Sequence, residues 1–180
     1  MKNILFILPL LLLHPKAGRA QYKPVDQGST VTFKIGNFGF DVNGSFGAGL
    51  QGVITFDPQN AGGASFDVSI DANSINTDNK MRDGHLRDES YFDVKNYPRI
   101  RLLSTKVTTT NKAGVYQFTG QLAMKGKSKE VSFPFTAVAA AGGYTFSGSF
   151  TINRKDFGVG GTSTISNSLT VSLNVVTLKS

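Results

Sequence analysis

Alternation of apolar and polar residues constrains this chain more than any other feature. Val31, Phe33 and Ile35 alternate with Thr30, Thr32 and Lys34, and Phe66, Val68 and Ile70 with Ser65, Asp67 and Ser69. The same pattern runs through Tyr116, Phe118, Gly120, Leu122 and Met124, through Tyr144, Phe146, Gly148, Phe150 and Ile152, and through Leu169, Val171, Leu173 and Val175. A side-chain period of two is that of a strand with one face buried and the other in water. Less regular runs at 53–56, 99–109 and 130–138 bring the expectation to about eight strands.

Turn chemistry separates the runs. Asp57-Pro58-Gln59-Asn60-Ala61-Gly62-Gly63, Asn111-Lys112-Ala113-Gly114, Lys125-Gly126-Lys127 and Gly142-Gly143 each stand between two of them. Gly and Asn tolerate positive φ, and Pro58 presets a turn. Short connections favour antiparallel pairing of consecutive strands. Gly120 and Gly148 lie inside strands, where a bend is the first expectation and room for a ligand the second.

Residues 73–98 break the pattern and hold much of the charge. Thr77 or Asp78 is the expected cap of a short helix over 79–87, with a further turn at 90–93. Tyr97-Pro98 ends the segment and launches a strand. The fold expected is all-β: an eight-stranded antiparallel barrel with a short helical insertion between strands 3 and 4. Closure removes the sticky sheet edges.

An outer-membrane barrel also alternates, but it carries aromatic girdles at both interfaces. This chain has no Trp and five Tyr, and its Phe residues sit within strands. The charged insertion also suits a barrel that does not span a membrane.

Residues 1–20 read as a signal peptide, with Lys2, an apolar run to Leu13, and small residues Gly18 and Ala20 before Gln21. The run is too short for the roughly 20 helical residues that cross a bilayer. Cleavage near Ala20 would leave residues 21–180 as one periplasmic or secreted domain. Without Lys2, Lys16 and Arg19 the 19 basic residues fall to 16 against 12 acidic, a net charge of +4. These charges are scattered, so nucleic acid is not an expected partner. The Lys125–Lys129 cluster reads as a solvated hairpin turn. With no Cys and His85 alone after the leader, neither a metal site nor a bound cofactor is expected.

Several motifs stand in order along the chain. They are Gly44-Ser45-Phe46 with Gly52-Val53-Ile54-Thr55-Phe56-Asp57-Pro58, then Ser65 to Thr77, then Arg82-Asp83-Gly84-His85-Leu86 with Tyr91-Phe92-Asp93 and Tyr97-Pro98. Gly120 to Val131 and Asn153-Arg154-Lys155-Asp156-Phe157-Gly158 complete the set. Together they resemble the YceI family of exported, lipocalin-like bacterial proteins over 26–178. The resemblance implies an extended barrel with an elongated apolar cavity for a long isoprenoid or acyl lipid. It implies no catalysis.

On that reading the lining comes from Phe33, Ile35, Phe66, Val68, Ile70, Tyr116, Phe118, Leu122, Phe133, Phe135, Phe146, Phe150, Leu169, Val171 and Leu173. Arg82, Asp83 and His85 are the head-group candidates. Arg82 presents a fork suited to phosphate or carboxylate oxygens, or braces the insertion together with Asp83. His85 is a donor to a head group or a structural residue. The partner expected is the lipid, with a homodimer as the further possibility. The rival function is a hydrolase acting on a lipid or glycan through Asp83 and His85, which requires both groups in one cleft.

Overall fold

The computed structural model describes residues 20–161 and 165–180, so the expected leader lies outside the described residues except for Ala20. The strands are β1 (Gln21–Asn37), β2 (Phe40–Phe46), β3 (Gln51–Thr55), β4 (Ser65–Asp71), β5 (Ile75–Asn76), β6 (Arg99–Thr109), β7 (Val115–Met124), β8 (Lys127–Ala140), β9 (Gly143–Asn153) and β10 (Ser168–Lys179). Among the described residues one α-helix, α1 (Lys80–Arg87), lies between β5 and β6.

The pairings are antiparallel, and β10 returns to β1 to close the sheet. β2 and β3 lie end to end along β1, with Phe46 opposite Val31 and Ile54 opposite Tyr22. β4 and β5 lie end to end along that composite strand in turn. The segments therefore form the staves of a closed eight-stranded antiparallel barrel, as the alternation predicts.

Two staves are longer than expected. The first begins at Gln21, not Val31, because a register shift between Val25 and Thr30 carries β1 past a polar interruption. Gly28 takes φ 78° there, and the Ser29 hydroxyl accepts from the Val176 amide at 2.8 Å, which patches the ladder. The second stave has its first half at β2, joined to β1 by a two-residue turn. Phe38 and Gly39 take φ 49° and 84° in that turn. Lys125 and Gly126 make the equivalent turn between β7 and β8, with φ 48° and 70°, in agreement with the solvated-turn reading.

The helix cap differs from expectation. Neither Thr77 nor Asp78 caps α1; the Asn79 side chain accepts from the Arg82 amide at 3.0 Å. Thr77 is engaged with Asp83, and Asp78 turns the chain with φ 58°.

One end of the barrel is solid. Phe56 is 1 % exposed and meets Tyr116, Tyr144 and Phe146 edge to face, with centroids 5.1–5.2 Å away. Phe66 meets Phe118, Phe135 and Phe146 in the same way. Phe118, Phe133 and Phe150 continue as a stack at 4.9 and 4.5 Å. Such pairs contribute about 0.5–1.5 kcal/mol each beyond area burial.

The mid-strand glycines serve this packing. A Cβ on Gly120 would lie 2.3 Å from the Leu103 carbonyl and 2.7 Å from the Phe118 ring. One on Gly148 would lie 3.0 Å from the Phe133 ring. Both glycines make room for the protein's own rings, and Gly120 also faces the register shift in β6 between Ser104 and Lys106.

Candidate functional site

The other half of the barrel is hollow. β1, β4, β6, β7, β9 and β10 all turn apolar side chains into a cavity there. About 200 Å³ of it is open to the centre of a water-sized group. A single water needs roughly 10–15 Å³ on that measure, so on the order of a dozen methylene-sized groups fit. Almost all of the wall is apolar carbon. No hydrogen-bonding frame is therefore available to order water across it, which suits an apolar chain.

The expected lining residues divide between the two halves. Phe33, Ile35, Val68, Ile70, Leu122, Phe150, Leu169, Val171 and Leu173 face the cavity. Phe66, Tyr116, Phe118, Phe133, Phe135 and Phe146 form the aromatic plug instead. Alternation assigns all fifteen to the inner face, but it does not say at which height along a stave a gap opens. Ile100, Leu102, Met124 and Ile152 also line the cavity, and their place in the alternating runs was the available signal.

The wall is completed by segments outside the strands. Leu86, Tyr91 and Phe92 come from the insertion, and Val159 and Ile165 from the connection between β9 and β10. No periodicity marks these residues, so the sequence did not reveal them. The two segments are joined where the Gly160 amide donates to the Ser90 carbonyl at 2.9 Å. Phe92 also meets Phe46 edge to face at 5.7 Å, which holds the insertion to the barrel. Arg154, 2 % exposed, donates to the carbonyls of Val159, Ile165 and Ser166 and so shapes this end from inside.

The polar candidates do not converge. Asp83 is buried and accepts from the Thr77 amide at 2.9 Å and the Thr77 hydroxyl at 2.6 Å. Arg82 lines the cavity while donating from Nε to the Thr77 hydroxyl at 2.7 Å and from Nη2 to the Thr77 carbonyl at 2.6 Å. Both acceptors are uncharged oxygens of Thr77, and the hydroxyl is the same one that donates to Asp83. His85 is exposed in the last turn of α1. Two helical steps turn a side chain by about 200°, so Asp83 and His85 leave opposite faces of α1 and share no cleft.

Two pKa displacements have structural causes. Asp67 is held below the usual carboxylate range, first by its two hydrogen bonds from Arg101 at 2.7 Å and then by that residue's charge. Burial pushes the Tyr22 phenol up, assisted by Tyr144 and Asp57. Neither brings a group toward neutrality, the displacement that general acid–base work uses. Among the described residues, no three His, Cys, Asp or Glu side chains gather at a possible metal site.

Fold and cavity together define a class: a closed β-barrel with one solid end and a capped apolar chamber at the other. The YceI-like domain model matches residues 22–177, and the chain belongs to that family. A UPF0312 protein of Pseudomonas aeruginosa is 31 % identical over 153 residues, covering 80 % of this chain and 78 % of the relative. One from Pseudomonas putida is 29 % identical over 178 residues, covering 94 % and 92 %. Among solved structures, Burkholderia cenocepacia BcnA matches with TM-score 0.77 at 26 % identity, covering 84 % of this chain and 98 % of that one. A polyisoprenoid-binding domain from Saccharophagus degradans matches with TM-score 0.71 at 16 % identity, covering 88 % and 98 %, a likeness of fold.

Proposed function

We propose that this protein binds and carries a long-chain amphiphilic lipid outside the cytoplasm, with the tail in the barrel cavity and no chemistry of its own. The carrying observation is the cavity: apolar walls, an aromatic floor, and Arg82 on the insertion that helps to cap it. The polyisoprenoid named for the Saccharophagus degradans neighbour is one tail of the right chemistry. Acyl chains of similar length are another.

The energetics favour this use. Burial of a methylene stabilises by about 0.8 kcal/mol, so a dozen give roughly 10 kcal/mol before association and ordering costs. Carbon walls read length and girth, so tail selectivity is loose, while a phosphate or carboxylate head group is drawn to Arg82. The signal-peptide pattern of residues 1–20 supports the extracytoplasmic setting.

The test uses cis-parinaric acid, a fluorescent acyl chain, with all-trans-farnesol as competitor. Bound fluorescence displaced by farnesol, and weakened about tenfold or more in Val171→Trp, is the expected result. Absence of binding by either probe overturns the proposal.

A further inference from the structure

Alternate residues of a strand share a face, and one face of β2 runs Phe46, Gly44, Val42 and Phe40. Phe46 and Val42 line the cavity. Phe40, the next on that face, is 77 % exposed, so the apolar wall continues out of the barrel past its rim. Phe38, in the β1–β2 turn beside it, is 75 % exposed, and so is Met81 on α1. Among the described residues these three are the most exposed large apolar side chains. All stand at the hollow end, where Leu86 of the same helix lines the cavity.

The tip that carries the two rings projects from the barrel. The β1–β10 ladder ends at the Ile35–Leu169 pair, and β5 pairs with β2 only at Ser45 and Phe46. Among the described residues, the last rungs, Gly36–Asp41 and Asn37–Phe40, therefore have no strand beside them, only a bond from the Ser166 amide to the Gly36 carbonyl at 2.9 Å. No charge obstructs the tip. Residues 35–40 include no ionisable side chain, and the flanking Lys34 and Asp41 neutralise each other at 2.9 Å. Phe38 holds its exposed position at φ 49°, where Asn or Gly is the favoured residue.

We infer that the Phe38–Phe40 tip is a membrane anchor, which seats the hollow end of the barrel on a lipid bilayer so that a tail can pass between bilayer and chamber along the inner face of β2. Area and charge select this occupant. Two rings, each about three-quarters exposed, offer on the order of 300 Å² of apolar surface. A specific protein interface buries roughly 800 Å² per partner, so a second copy of the chain would be poorly held by this tip. A bilayer needs no matched surface: apolar side chains enter the boundary between head groups and acyl chains, and binding scales with the apolar area buried. An uncharged tip suits zwitterionic lipid. The purpose of the anchor rests on the lipid-carrying reading, whereas docking is measured apart from carriage.

The chain has no Trp, so Phe40→Trp in the full-length protein places a lone reporter at the tip. Val138→Trp places one at an exposed site beside the β8–β9 turn, at the solid end. Residues 1–20 are common to both variants, so a difference between them belongs to the tip. Each is mixed with phosphatidylcholine vesicles, with and without bromine on the acyl chains. The emission of Phe40→Trp is expected to move to the blue and to be quenched by the brominated chains, while Val138→Trp does neither. Adding Phe38→Asn to Phe40→Trp is expected to raise the lipid concentration at half-maximal shift about fivefold or more, because one ring's burial is lost. The melting temperature should not fall, which separates lost docking from lost folding.

An unshifted Phe40→Trp that still binds cis-parinaric acid overturns the anchor and leaves lipid carriage standing. Equal shifts at Phe40→Trp and Val138→Trp overturn it as well, since the contact is then not made by the tip. So does a shift kept by protein separated from the vesicles, because the ring then reports a loaded lipid. A blue-shifted Phe40→Trp without vesicles, growing with protein concentration, assigns the tip to a second copy and also overturns the anchor. If the expected shift appears but cis-parinaric acid does not bind, the anchor stands and the carrier reading fails.

Discussion

Asp83 and Thr77 are joined by two hydrogen bonds, with the buried carboxylate accepting the amide at 2.9 Å and the hydroxyl at 2.6 Å. The threonine oxygen and carbonyl are in turn acceptors for Arg82. One threonine thus joins the start of the insertion to its helix, and the acid that most resembled a catalytic residue is committed to holding it. Asp83→Ala strands both Thr77 donors and is expected to lower unfolding free energy by about 2–3 kcal/mol. Urea denaturation checks this. An unchanged midpoint would remove the bracing role.

The plug and the chamber respond differently to truncation. Phe66 is 7 % exposed and packs against three other rings, so Phe66→Ala is expected to cost about 3–5 kcal/mol. Leu173 borders existing empty space, and Leu173→Ala is expected to cost less than about 2 kcal/mol, below the usual core range. Equal losses would mean that the two ends are packed alike.

Phe38 takes φ 49° and is 75 % exposed at the β1–β2 turn. Left-handed backbone costs a bulky residue roughly 1–2 kcal/mol, whereas Asn before Gly suits this turn type. Phe38→Asn is expected to raise stability by about 1 kcal/mol, read as a higher melting temperature. A lower one would show that the ring makes a stabilising contact in solution.

Asp67 and Arg101 are about half exposed, and their pairing holds the Asp67 pKa below the ordinary aspartate value. A lowered folded-state pKa contributes stability above the unfolded value, and that stability is lost as pH falls through the folded one. The melting-temperature difference between the unaltered protein and Asp67→Asn is therefore expected to be largest near neutrality and to close below about pH 4. Half-exposed charges are also screened, so salt should shrink it. A difference that grew on acidification would contradict the sign.

Much of the barrel was legible because alternation is enforced along each stave by the pleat. β7 and β9 show this, since their inward residues were assigned from period two alone. β2 was missed because Asp41, Asn43 and Ser45 alternate with Val42, Gly44 and Phe46, and Gly44 leaves a hole in the apolar face. That hole has a use: a Cβ there would sit 2.3 Å from the Phe33 ring. The chamber was harder to read. Phe118 and Phe150 have the same pattern, and only the third dimension separates a plug ring from a wall ring.

The central claim is that the hollow half of the barrel holds an apolar chain, and extraction tests it most directly. The full-length protein, purified without detergent from cells expressing it, would be extracted into organic solvent and analysed by mass spectrometry beside Val171→Trp prepared identically. The account predicts a long-chain amphiphile, approaching one per protein chain and depleted in the variant. A clean extract from both, or the same lipid in equal amount from both, would contradict it.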